Sequence, residues 1–220
     1  MYFSRIRLKS NILAVDYANS VSKNSYKEHQ MLWELFPKHP ELNRDFIYRY
    51  EPENHRPAYY IVSKRKPIDQ ENLWHIQTKN YSPILSIGQN FSFIIRVNPV
   101  ITQKGKRHDI VIHEKKNIGY KEMDKHSRPS QYEIIAKTGA RWLKSRAENA
   151  GFQIQNTALR IDRYQPRIIA QKSKARIIYS TMDFSGILEI DDVNKFQKTL
   201  MTGMGKAKAF GCGLMLIRRV

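Results

Sequence analysis

The chain has 220 residues, of which 41% are hydrophobic and 26% are charged, so it can bury a core and wholesale disorder is excluded. Thirty-eight Lys and Arg against 20 Asp and Glu leave a formal charge of +18, which indicates a polyanionic partner, with nucleic acid as the first candidate and an anionic membrane surface as the second. The one cysteine, Cys212, excludes an internal disulfide and every zinc site that needs several cysteines.

The beginning of the chain predicts a strand. Residues 2–9 alternate between a mostly apolar face and a face that carries Arg5 and Arg7, which is the period of a strand with one polar side. These arginines, with Lys9, interrupt the place where the apolar region of a signal peptide would lie. No apolar run approaches the roughly 18 residues that a membrane span requires. We therefore expect a cytoplasmic protein without a membrane partner.

The next elements predict a first α+β unit. From Ser25 the apolar period becomes helical through residues 31–36; residues 25–28 have capping-box spacing, and Pro37 ends the helix. Residues 45–50 and 58–63 predict two strands, and residues 91–97 predict another, closed by Asn98-Pro99. The segment between these last two strands has no defined element. The order indicates a split βαβ, ferredoxin-like unit.

A second α+β unit follows. Residues 131–150 predict a helix that ends at Gly151 and carries a basic stripe of Lys137, Arg141 and Lys144. Strands are predicted at 152–156, 175–184, 187–190 and 214–217, with a short helix at 191–200. We expect two tandem ferredoxin-like domains of βαββαβ order, at residues 1–100 and 101–220. The pattern is least defined between residues 99 and 130.

The segment from residue 203 to residue 213 is the most specific in the chain. It combines four glycines with two lysines: Gly203, Gly205, Lys206, Lys208, Gly211 and Gly213. Backbone N–H groups beside glycine, with two ammonium groups, would form a cradle for phosphate. The loop follows a helix and precedes a strand, the reverse of a Rossmann fingerprint, and has no Gly-Lys-Ser/Thr of a Walker A loop. A glycine-rich turn that only packs two elements is the alternative.

A cluster of cations between residues 160 and 176 predicts a nucleic-acid surface. A basic hairpin there could lie along the phosphates of an A-form duplex. A solvated run of charges is the alternative. The cluster has one acid, Asp162, and six cations: Arg160, Arg163, Arg167, Lys172, Lys174 and Arg176.

Four segments carry a resemblance to a known family. They are the C-terminal Gly-x-Gly-x-Ala-Lys-Ala-Phe-Gly-Cys-Gly-Leu loop (203–214), Leu-Trp-Glu-Leu-Phe-Pro (32–37), Arg-Val-Asn-Pro (96–99) and Phe-Ser-Gly-Ile-Leu-Glu-Ile (184–190). Together they resemble the CasE family, the CRISPR repeat-RNA-processing endoribonucleases of type I-E systems. The resemblance includes no motif in residues 100–130 and 155–180.

The resemblance implies two RAMP-type ferredoxin-like domains and metal-independent cleavage of a CRISPR repeat hairpin that leaves a 2′,3′-cyclic phosphate. The Tyr-x-x-His motif of the family corresponds to Tyr26 and His29, which share one helical face. His29 would transfer protons and Tyr26 would act on the 2′-hydroxyl. The resemblance implies no cofactor and no metal. Its partners are the repeat RNA and the other subunits of the type I-E surveillance complex, in which the enzyme remains with its product.

Two other functions stay open at this level. A non-catalytic RNA-hairpin-binding module of the same fold would make His29 incidental. A basic protein that binds DNA or anionic lipid is a further alternative, although we find no helix-turn-helix signature. No second histidine stands at a motif position, so the complementary proton transfer falls to His29 itself, to Lys206 or Lys208, or to Tyr26.

Overall fold

The structure is a computed structural model that describes residues 1–10, 25–36, 45–51, 53–54, 56–171 and 174–220, with only the backbone of residues 25, 26, 169–171 and 174–177. The strands are β1 (Tyr2–Leu8), β2 (Phe46–Tyr50), β3 (Ala58–Ser63), β4 (Trp74–Asn80), β5 (Asn90–Val97), β6 (Val100–Gln103), β7 (Lys106–Asp109), β8 (Phe152–Ile154), β9 (Arg160–Gln171), β10 (Lys174–Ile190) and β11 (Met215–Arg219). The helices are α1 (Ser25–Glu34), α2 (Ile110–Asn117), α3 (Gln131–Ala150) and α4 (Val193–Thr202), with 3₁₀ turns at Asn156–Ala158 and Lys208–Phe210.

Two antiparallel sheets with the same strand order organise these elements. In the first sheet, β1 lies between β3 and β4, and β2 flanks β3. In the second sheet, β5 lies between β10 and β11, and β8 flanks β10, while β9 pairs with β10 as a hairpin. In each sheet the first strand is central and the second strand lies beside the third, which is the split βαβ arrangement. The predicted α+β fold with two ferredoxin-like units is confirmed.

Strand β5 (Asn90–Val97) belongs to the second unit, whereas the sequence analysis predicted it as the last strand of the first unit. It buries Phe91, Phe93, Ile95 and Val97 in the core of the second sheet. The edge position in the first sheet is taken by β4, which lies in the segment without a predicted element. By sheet pairing, the chain passes from the first unit to the second between β4 and β5, and not at residue 100. Residues 64–73, which join β3 to β4, form no helix, so this unit departs from the expected βαββαβ order.

Helices cover one face of each sheet. In the first unit, Leu32, Leu35 and Phe36 at the end of α1 pack on the β-sheet core that includes Ile6 and Tyr59. Pro37, predicted to end this helix, lies outside the described residues. In the second unit, α3 and α4 cover the sheet, and their buried residues include Trp142, Leu143, Phe196 and Leu200.

Helix α3 follows its prediction closely. A capping box joins Ser130 and Glu133 at its start, and Gly151 ends it in the left-handed conformation at φ 83°. Its basic stripe is partly anchored, because Arg141 lies 2.8 Å from Glu114 of α2 in an ion pair. No helix in the described part of the chain is long and apolar enough to span a membrane.

The other faces of the two sheets meet each other. Ile47 of β2 and Val62 of β3 pack against Leu214, the residue before β11, and Phe3 and Leu216 border this small core. Because apolar side chains occupy only part of each face, the polar positions beyond Ile47 on β2 face a cleft between the two units. This junction positions the candidate site.

Candidate functional site

Helix α1 carries the predicted catalytic histidine. The His29 side chain is half-buried, with its ring centroid 5.7 Å from that of Trp33 and 5.7 Å from that of Phe46. Tyr26 lies in the same helix, but its side chain is outside the described residues. The same is true of the Ser25 side chain that would form the predicted capping box. The helix also lies against the 3₁₀ turn at Lys208–Phe210, which brings the histidine helix to the glycine-rich loop.

Glu28, the residue before His29, places its carboxyl group at the junction of the two units. Burial raises its pKa from 4.5 to about 7, although a hydrogen bond from the Tyr59 hydroxyl and the positive charges of Arg167 and Arg96 act in the opposite direction. The hydroxyl donates at an oxygen–oxygen distance of 3.5 Å. Arg167 belongs to β9 and Arg96 to β5, so both of these charges come from the second sheet. A group that titrates near neutrality therefore adjoins the predicted catalytic residue.

A cleft of about 440 Å³ lies between β2 and the second sheet, and we call it the arginine cleft. Asp183 of β10 stands in register with Arg96 on one side and with Arg163 of β9 on the other. Arg96 donates two hydrogen bonds to Asp183, from Nε at 2.7 Å and from Nη2 at 2.8 Å. The charged side chains of its walls are Arg49, Glu51, Arg96, Asp162, Arg163, Arg167 and Asp183.

The glycine-rich loop holds the two units together through its buried part. The N–H of Gly213 donates to the Arg96 carbonyl at 2.7 Å, and Gly211 lies against the ring of Tyr48 on β2. These two glycines are buried, so the packing alternative accounts for them. The remaining members lie nearer the surface: Gly203, Gly205 and Lys208 are half-buried, and Lys206 is exposed. A phosphate cradle at the exposed part stays a prediction.

The basic segment forms the expected hairpin, β9 and β10. Arg160 and Arg163 of β9 are exposed and Arg167 is half-buried. The hairpin touches the glycine-rich loop, because the Phe210 ring lies 5.3 Å from that of Tyr179, which is in register with Arg167. The histidine helix, the loop and the hairpin thus converge. Lys172 lies outside the described residues, as do the side chains of Lys174 and Arg176.

Several charged residues of this site carry no functional role in the sequence analysis, among them Glu28, Arg49 and Asp183. Arg49 offered a sequence signal, since it is the one charged residue in the five-residue strand Phe-Ile-Tyr-Arg-Tyr. The structure shows that it is also buried, at 4% exposure. A buried charge in an apolar strand indicates a partner or a ligand. No group of three His, Cys, Asp or Glu side chains in the described part of the chain is arranged to hold a metal ion.

Two relatives with curated names resemble the chain over most of its length. It is 28% identical over 203 residues to the CRISPR system Cascade subunit CasE of Escherichia coli (strain K12), which covers 90% of this chain and 94% of the relative. It is 23% identical over 218 residues to the CRISPR-associated endoribonuclease Cse3 of Thermus thermophilus, covering 88% of this chain and 90% of the relative.

The fold has a counterpart among solved structures. A structure of the CRISPR endoribonuclease Cse3 bound to a 19-nucleotide RNA matches with a TM-score of 0.73 at 22% identity, over 99% of this chain and 100% of that one. The family model described as CRISPR associated protein matches residues 1–219. The resemblance to CasE is confirmed, and the chain belongs to the CRISPR associated protein family.

Proposed function

We propose that this chain is an endoribonuclease that binds the stem-loop of a CRISPR repeat RNA and cleaves it at the base of the stem to give mature crRNA. The observation that carries the proposal is the convergence of helix α1, which carries His29, with the glycine-rich loop and the basic hairpin. Relatives named as endoribonucleases support the reaction class. The relative named as a Cascade subunit supports retention in a surveillance complex with the other subunits.

The proposed chemistry needs no metal, because RNA supplies its own nucleophile. The 2′-hydroxyl oxygen attacks the adjacent phosphorus while the bond from phosphorus to the 5′ oxygen breaks, which leaves a 2′,3′-cyclic phosphate. One proton leaves the 2′-hydroxyl and one reaches the 5′ leaving oxygen. His29 transfers one or both, a contribution of roughly 10²–10⁴-fold, and Tyr26 hydrogen-bonds or helps to deprotonate the 2′-hydroxyl. The ammonium groups of Lys206 and Lys208 stabilise charge on the phosphorus oxygens.

Binding falls to the hairpin and to the loop. The exposed guanidinium groups of Arg160 and Arg163 contact phosphates of the stem, and Arg167 extends this surface toward α1. We place the remaining hairpin cations, Lys172, Lys174 and Arg176, in the same surface. Gly203 and Gly205, the less buried glycines of the loop, bring its backbone and its lysines close to the RNA, while Gly211 and Gly213 hold the loop in place by packing.

The test is cleavage of the cognate repeat RNA in EDTA, beside the same RNA with a 2′-deoxy substitution at the scissile nucleotide. We expect the first to be cut to a cyclic phosphate end and the second to stay intact. His29→Ala should abolish cleavage and keep binding, whereas His126→Ala, at an exposed histidine between α2 and α3, should behave as the wild type. Tight binding without any cleavage by the wild type would favour the binding-module alternative. Cleavage that needs a divalent cation would contradict the metal-free mechanism.

A further inference from the structure

Arg49 carries buried hydrogen-bond donors that the fold does not use. The residue is 4% exposed, and its Nε donates to Glu51 Oε1 at 2.5 Å. Its Nη1 is buried and has no hydrogen-bond partner within the part of the chain that the structure describes. A buried charged group with unmet donors is destabilising. Its position on the wall of the arginine cleft directs attention to a ligand.

The walls of the cleft have more cationic than anionic groups. Two pairs are internal, Arg49 with Glu51 and Arg96 with Asp183. Arg163 and Arg167 line the same cleft and form no ion pair with any carboxylate in the described ranges, while Asp162 is the one further acid of the walls. Four arginines against three carboxylates leave the cleft with a net positive charge.

Two arginines of the cleft also act on helix α1, which carries His29. Arg96 and Arg167 act electrostatically on Glu28, the residue before His29. A ligand between these arginines therefore lies beside helix α1. The volume of about 440 Å³ is within the range of small-molecule sites and is large enough for one nucleotide.

We infer that the arginine cleft binds one phosphodiester group of the RNA, flanking the scissile one, with Arg49 as its buried donor. The guanidinium is planar and permanently charged, so its unpaired Nη1 can donate to a phosphate oxygen while Nε stays bound to Glu51. The inference rests on the proposed function, since it names a further contact of the same RNA. In this inference Arg49 is a positioning residue, which holds the RNA strand beside His29.

Neutral linkages test this contact directly. Each phosphodiester near the scissile bond of a 2′-deoxy-blocked repeat RNA is replaced, one at a time, by a methylphosphonate, and dissociation constants are measured for the wild type and for Arg49→Gln. The matched control is Arg5→Gln, because Arg5 forms a similar ion pair with Glu53 on the same sheet but does not line the cleft. Thermal unfolding checks that each variant is folded.

At one linkage we expect the methylphosphonate to lower the affinity of the wild type about tenfold relative to unmodified RNA. The same replacement should not lower the affinity of Arg49→Gln, because this variant has already lost the contact. It should lower the affinity of Arg5→Gln as much as that of the wild type. The inference would be overturned if, at every linkage, the loss of affinity from Arg49→Gln added to the loss from the methylphosphonate. An Arg49→Gln variant that binds all RNAs normally but fails to join the other subunits would also overturn it. If Arg49→Gln does not fold, Arg167→Gln replaces it in the same set of affinity measurements. The proposed function fails separately, if the wild type neither binds nor cleaves unmodified repeat RNA.

Discussion

Gly211 and Tyr48 are in direct contact across the junction of the two units. A Cβ atom at Gly211 would stand 3.2 Å from Cε2 of the tyrosine ring, and the Tyr48 hydroxyl donates to the Ala209 carbonyl at 3.2 Å. Tyr48 belongs to the first sheet, and Gly213 binds Arg96 of the second. The glycine-rich loop therefore packs against both sheets and connects them. This packing also fixes the backbone that carries its lysines.

The close packing within the loop predicts that Gly213→Ala destabilises the protein far more than backbone strain alone. Gly213 has φ +95°, and its added Cβ would lie 2.6 Å from the Met204 carbonyl oxygen. The matched control is Gly88→Ala, since Gly88 has φ +77° and nothing within 4 Å of the added atom. We expect a loss of about 1 kcal/mol for Gly88→Ala and of roughly 3 kcal/mol or more for Gly213→Ala. Urea denaturation measures both free energies of unfolding, and equal losses would contradict the close packing of Gly213 against Met204.

The elements that the sequence predicted well are those with strong local signals. Helix α3 has a regular apolar stripe and a glycine stop, and β1 alternates along its whole length. Strand β4 was missed because Trp74 is its one fully buried side chain, so only pairing with β1 makes it a strand. Strands β6 and β7 pair as an antiparallel hairpin, which was missed because none of its residues is buried and β7 reads Lys-Arg-His-Asp.

Parts of the candidate site also differ in whether a local sequence signal marks them. The helix that carries His29 and the hairpin that carries the arginines could be predicted, because each contains a short motif or a local run of charge; the roles of these residues stay predictions. The arginine cleft could not, because Arg49, Arg96 and Arg167 lie on three strands of two sheets. Only the strand register and the packing of the two units bring them together.

The hairpin predicts a local phosphate contact at Arg160. Removing one phosphate contact should lower the slope of log affinity against log salt concentration by about 0.7–0.9. We expect Arg160→Gln to do this and to weaken repeat-RNA binding roughly tenfold at physiological salt. Arg219→Gln is the control, because it removes the same charge from an exposed position on β11 of the same sheet. Equal changes in both variants would indicate a general effect of net charge and would count against a contact at Arg160.

Glu28 predicts a stability that falls as the pH rises. Burial raises its pKa from 4.5 to about 7, so between these values the folded protein keeps a proton that the unfolded chain has lost. The free energy of unfolding therefore falls progressively as the pH rises through this window, and the total loss above it is on the order of 3 kcal/mol. Glu28→Gln removes the titration, so we expect this variant to unfold at higher urea than the wild type at pH 8 and with little difference at pH 4.5. Glu34→Gln, at an exposed position of the same helix, should change neither value. A difference between Glu28→Gln and the wild type that is the same at both pH values would show that burial does not shift this carboxyl.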